Sequence, residues 1–73
     1  MELKKNEQIV DILSKLKGKP VNVMLSNGEL ISCEVKTVGE FCSLIERKDS
    51  KSFYDIIIRN DSVIAVEMKV RNS

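Results

Sequence analysis

The sequence predicts a mainly β fold: an N-terminal α-helix followed by a strongly bent five-stranded antiparallel sheet, a small open barrel, in a single domain spanning 1–73. Three observations carry that expectation. Apolar residues recur at helical spacing only between Ile9 and Leu16, they alternate at period two from Val21 onward, and polar turn signals cut the alternating region into five short runs.

The helix is expected over about 6–17. Asn6 is a suitable N-cap, Ile9, Val10, Ile12, Leu13 and Leu16 form one apolar stripe, and Gly18 with Pro20 ends the run. Lys15, Lys17 and Lys19 crowd the last turn, where positive charge suits the helix dipole. The stripe predicts an amphipathic helix lying on a sheet.

The strands occupy about 21–68. Val21, Val23 and Leu25 alternate with Asn22 and Met24, and the pattern resumes at Ile31, Cys33 and Val35 after Ser26-Asn27-Gly28. A two-residue Asn-Gly turn would set Val23 opposite Ser32 and mix core with solvent. A three-residue loop, with Gly28 as the left-handed bulge residue, sets Val23 opposite Ile31 and Val21 opposite Cys33. The chain then turns at Val38-Gly39-Glu40, and Phe41 to Glu46 reads as a third strand. Arg47 to Lys51 is a charged loop tip, followed by strands from about Ser52 to Arg59 and from about Ser62 to Met68. A two-residue Asn60-Asp61 loop is expected to close these last two into a hairpin, Ile58 facing Val63 and Ile57 facing Ile64, which makes the whole sheet a meander. Val70 to Ser73 reads as a frayed tail.

At 73 residues, burial reaches only about 60% of the unfolded chain's surface, and domains of this size take extra stability from disulfides, metals or assembly. Two cysteines and no histidine offer little to a disulfide framework or a zinc site, and no cofactor is implied. Assembly is what remains, and the last two strands ask for it. In Ile56-Ile57-Ile58 and Val63-Ile64-Ala65-Val66, apolar residues point to both faces, so part of this region is expected to be covered by another copy or a partner. No apolar run reaches the roughly 20 residues of a membrane span and Met1 to Leu16 is too polar for a signal peptide, so the expected location is the cytoplasm, with no membrane partner. Twelve Lys and Arg against 11 Asp and Glu give +1, so any contact with nucleic acid must be local.

Two blocks, Val21 to Val35 and Ile58-Arg59-Asn60-Asp61-Ser62-Val63, together with the helix and the strand order, resemble the Sm-like (LSm) family of ring-forming RNA-binding proteins. The spacing from Asn27-Gly28 to Phe41 and Leu44-Ile45 is nearest the bacterial RNA chaperone Hfq branch. The second block is closer to the archaeal and eukaryotic Ile-Arg-Gly-Asn/Asp-x-Val/Ile turn. The resemblance covers roughly 6–68. It implies a hexameric or heptameric ring that takes single-stranded U- or A-rich RNA at its pore, in RNA processing or as an RNA chaperone. This chain departs from the family pattern in having Gly39 where an Asp is usual, Cys42 or Ser43 where an Asn is usual in the following strand, Cys33 and Asn60 where Gly is usual, and Asp55-Ile56 where the bacterial branch has Lys-His. An Sm-fold scaffold or protein-interaction module with a degenerate RNA site is therefore the second reading.

The resemblance assigns RNA contact to Phe41 by stacking, Arg59 by stacking or phosphate contact, and Asn60 and Asp61 by hydrogen bonds to a base edge, with Gly39 in the adjoining turn. Simpler roles compete for each. Phe41 could be core, Arg59 a partner of Asp61 or Asp55, and Asn60 a turn former; Cys33 and Cys42 read as small buried residues. A second aromatic and basic pairing, Phe53 with Lys51, lies at the far end of the fourth strand. With no histidine to act as base and no Ser or Cys in a recognised elbow or phosphate loop, the sequence points away from an enzyme.

Overall fold

A computed structural model of the chain describes residues 8–70. One helix, α1 (Ile9–Lys15), precedes five strands: β1 (Pro20–Leu25), β2 (Leu30–Val38), β3 (Cys42–Lys48), β4 (Phe53–Arg59) and β5 (Val63–Glu67). The expected cap Asn6 and the tail residues 71–73 lie outside the described residues. Gln8 takes the cap position, its backbone N–H donating to the Asp11 carboxylate at 3.2 Å. At the other end Gly18 donates its N–H to the Val35 carbonyl at 2.8 Å, which ties the end of the helix to β2.

The first hairpin follows the register that apolar alternation selects, with Val21 opposite Cys33 and Val23 opposite Ile31. Gly28 has φ +89°, and a Cβ there would meet nothing within 4 Å. Glycine is required at this position by the backbone and not by crowding, because side-chain-bearing residues disfavour that region.

The strand order is β4-β3-β2-β1-β5, with every neighbouring pair antiparallel. This corrects the meander and its last hairpin. Ile58 does not face Val63, nor Ile57 Ile64; β5 crosses the molecule and pairs with β1, setting Val66 opposite Val23 and Val63 opposite Leu25. The cause lies in Asn60–Ser62, which forms a 3₁₀ turn instead of a tight hairpin. Among the described residues no non-glycine residue has positive φ, whereas a two-residue type I′ turn needs it at both positions. The Ser62 carbonyl accepts the Ser26 N–H at 2.7 Å, starting β5 beside β1.

Two register slips shape the sheet further. One, between Met24 and Leu25, leaves Ile64 as the extra residue of β5, so that Val63 is buried and Val66 half-buried instead of alternating. The other leaves Lys36 as the extra residue of β2, its ammonium 3.2 Å from Glu34 and 3.6 Å from Glu46. These contacts raise the Lys36 pKa, the hydrogen bond to Glu34 foremost.

The core gathers Leu13 from α1 and its C-cap Leu16 with Val21, Val23, Ile31, Cys33, Val35, Ile45, Ile58 and Val63 from all five strands. Full burial of such side chains is worth about 1.5–3 kcal/mol each, and Leu13, Val23, Val35 and Ile45 reach it. Cys42, expected inside, is exposed; Cys33 is buried, and desolvation pushes its thiol pKa up. The sheet is not closed on itself. β4 and β5 are its two edges, and exposed apolar residues stand at both: Ile57 on β4, 75% exposed, and Ile64 on β5, 58% exposed, with Leu30 near the latter. No described helix is long and apolar enough to cross a membrane.

Candidate functional site

The site starts from a turn that only glycine allows. Between β2 and β3 the Gly39 N–H donates to the Cys42 carbonyl at 2.9 Å, and a Cβ on Gly39 would lie 2.6 Å from that oxygen. Contact that short excludes any side chain, an aspartate included, unless the turn shifts. Glu40 and Phe41 form the tip, and Phe41 is 77% exposed, so it is no part of this chain's core.

Asn60 holds this turn from across the molecule. Its backbone N–H donates to the Phe41 carbonyl at 2.7 Å, and its side-chain amide donates to the carbonyls of Gly39 at 2.8 Å and Glu40 at 3.2 Å. The amide oxygen accepts the Ser43 hydroxyl at 2.7 Å. Both residues are buried, and no buried side-chain polar atom among the described residues lacks a partner. The Asn60 side-chain amide is thus occupied by hydrogen bonds within the fold, where it braces the turn that carries Phe41.

Arg59 ends β4 opposite Cys42, next to the turn. Its guanidinium reaches the Asp61 carboxylate at 2.9 Å, with both side chains at least 70% exposed. A pair this open is worth about 0–1 kcal/mol and is easily exchanged for a ligand. Phe41, Arg59, Asn60 and Asp61 all line one open groove of about 360 Å³, completed by Glu40, Val63, the N-cap Gln8 and the first two residues of α1. Gly39 does not line the groove; it is tied to it through the Asn60 amide, which donates to its carbonyl. Chemically the groove offers one aromatic face, one planar cation and two carboxylates, a set that stacks on a flat ring and accepts hydrogen bonds from N–H groups at its edge. Among the described residues, no cluster of three Cys, Asp or Glu side chains could hold a metal ion.

Glu40, the start of α1 and the hydrogen bond of Ser43 to Asn60 are not anticipated from sequence. Ser43 left a usable signal: it is a hydroxyl at a core-facing position of β3, and a buried hydroxyl needs a partner.

No protein-family model, characterised protein or solved structure matches this chain.

Proposed function

We propose that the chain is an Sm-like ring subunit that binds single-stranded U- or A-rich RNA in the groove between Phe41 and Arg59. The observation that carries this reading is the exposed Phe41 ring, fixed on a turn that Asn60 and Ser43 brace and set beside an equally exposed guanidinium. A water-facing ring on a braced support is suited to stacking, worth about 1–3 kcal/mol per base. Asp61 and Glu40 supply acceptors for base N–H groups, and Arg59 exchanges Asp61 for a phosphate or a base face.

Ring closure follows from the edges. β4 of one copy pairs with β5 of the next, satisfying the open edges and bringing Ile57 toward the apolar patch of Ile64, Ala65, Met24 and Leu30. The bent sheet is then the small open barrel of the Sm-like fold, and six or seven grooves share one pore. Repetition turns modest single contacts into useful affinity. The protein acts without cofactor or catalysis, in RNA processing or as an RNA chaperone in the cytoplasm.

A second reading, an assembly scaffold without RNA, is favoured by the commitment of Asn60 to the fold and by the Arg59–Asp61 pair. Fluorescence anisotropy with oligouridine and oligoadenine at two salt concentrations separates the two. Under the RNA reading, Phe41→Ala weakens binding about fivefold or more with the oligomer intact, and Arg59→Ala also lowers the salt slope. Failure of the unmodified protein to bind either oligomer at low salt leaves the scaffold.

A further inference from the structure

The far end of the β3–β4 hairpin carries a second constellation, made of different residues. The hairpin is closed tightly: the Asp49 N–H donates to the Ser52 carbonyl at 2.8 Å, the Ser52 N–H returns to Asp49 at 3.2 Å, and only Ser50 and Lys51 lie between. The expected charged loop is therefore a braced tip. Two cross-strand pairs stand just behind it, Lys48 opposite Phe53 and Arg47 opposite Tyr54. In each the cation lies over the ring, the Arg47 guanidinium 4.8 Å from the Tyr54 centroid and the Lys48 ammonium 5.6 Å from that of Phe53. Because consecutive strand residues point to opposite faces, the tip presents one cation–aromatic pair on each side. Both rings remain open to solvent, Phe53 at 64% and Tyr54 at 42%.

Charge at the tip is positive. Arg47, Lys48 and Lys51 stand against Asp49, whose carboxylate already accepts the Ser50 N–H at 2.8 Å. Glu46 and Asp55, paired on the Lys48–Phe53 face, lie one step toward the groove and confine an anion to the tip side. Positive charge interleaved with open aromatic faces selects a ligand that is both anionic and planar. An acidic peptide would satisfy the cations and leave the rings wet, and a duplex keeps its base faces stacked away. A single strand offers bases to the rings and phosphates to the cations.

We propose that the β3–β4 hairpin tip is a second contact for single-stranded RNA, in which bases stack on Tyr54 and Phe53 and phosphates meet Arg47, Lys48 and Lys51. From Arg59 at the groove to Phe53 at the tip β4 runs six residue steps, about 20 Å at roughly 3.3 Å each, so the two contacts are separate and stand or fall separately.

Tyr54 is the chain's single tyrosine and there is no tryptophan, so intrinsic emission reports on the tip alone. The full-length protein is titrated with hexauridine, with emission corrected for RNA absorption against free tyrosine, and binding is followed in parallel by anisotropy of labelled hexauridine. The expected result is saturable quenching that survives Phe41→Ala. In the Arg47→Gln/Lys48→Gln variant it weakens about tenfold, with the salt slope lower by about 1.4 if each cation touches one phosphate. Polyglutamate of equal charge produces no quenching. The proposal is overturned by RNA binding without a change in tyrosine emission, by quenching that Phe41→Ala abolishes, by equal quenching from polyglutamate, or by no binding at low salt. If Phe41→Ala leaves affinity and quenching untouched, the groove reading fails and the tip stands.

Discussion

Asn60 joins the end of β4 to the β2–β3 turn and the start of β3, 17 to 21 residues away in sequence, through hydrogen bonds to Gly39 and Glu40 and from Ser43. Asn60→Ala strands the buried Ser43 hydroxyl and two turn carbonyls, and is expected to cost about 2–3 kcal/mol in urea denaturation. Full stability in that variant would remove the brace from beneath Phe41. Gly28→Val is expected to cost more than about 1 kcal/mol through backbone strain at φ +89° alone, since there is room for the side chain. An unchanged melting temperature would contradict it. The two thiols should separate cleanly by reaction with iodoacetamide: exposed Cys42 is modified in the native state and buried Cys33 only on unfolding. The raised pKa of Cys33 also sets a sign for pH dependence. Above the ordinary thiol value of about 8.5 the unfolded chain loses this proton before the folded one does, so stability falls as pH rises there and is unaffected below. A Cys33→Ala variant, compared between pH 7 and pH 10, should lose that part of the alkaline slope.

At the scale of elements, Gly39→Ala tests the β2–β3 turn. Its Cβ meets the Cys42 carbonyl at 2.6 Å, so the turn must shift; the expectation is a loss of about 1–3 kcal/mol in chemical denaturation together with weaker RNA binding, because the shift displaces Phe41. A loss of stability with affinity unchanged would detach Phe41 from the site. The elements differ in how far their sequence reveals them. The first hairpin is legible because apolar alternation and Gly28 agree on one register. The fourth and fifth strands are legible as strands, with bounds within about two residues, but not as partners. Period-two alternation assigns faces without naming a neighbour, and Ile58 against Val63 satisfies the pattern as well as Val63 against Leu25 does. What redirects β5 is a side-chain amide bonding backbone carbonyls of a distant turn, for which a local pattern has no symbol. The missing glycine in Asn60-Asp61 was the available warning, since a tight hairpin turn favours one. The bulges at Lys36 and Ile64 are likewise products of pairing and invisible before it. For the groove, the sequence grouped Phe41, Arg59 and Asp61 only through a family resemblance, and the fold brings the three to one groove, whereas Asn60's structural commitment and the cation–aromatic pairs at Tyr54 and Phe53 required the register.

For the whole molecule the decisive features are the two open edges and what stands on them. Each edge strand offers backbone donors and acceptors to a further strand, and the apolar residues beside them, Ile57 at one edge and Ile64 at the other, are a liability in an isolated chain. Under the proposed assembly, edges at opposite ends of one sheet meet head to tail, a contact that closes into a ring or runs on as a filament. Under the ring proposal, a charge on β4 such as Ile57→Lys should reduce the oligomer to smaller species, read by light scattering; RNA affinity is not the readout for this variant, because Ile57 stands two residues from groove-lining Arg59 on the same face. The most direct test is native mass spectrometry of the full-length protein with one oligouridine strand long enough to circle a pore. A ring-forming RNA binder predicts a dominant species of six or seven 8.3 kDa chains carrying a single strand; folded monomers, with or without RNA, would contradict it.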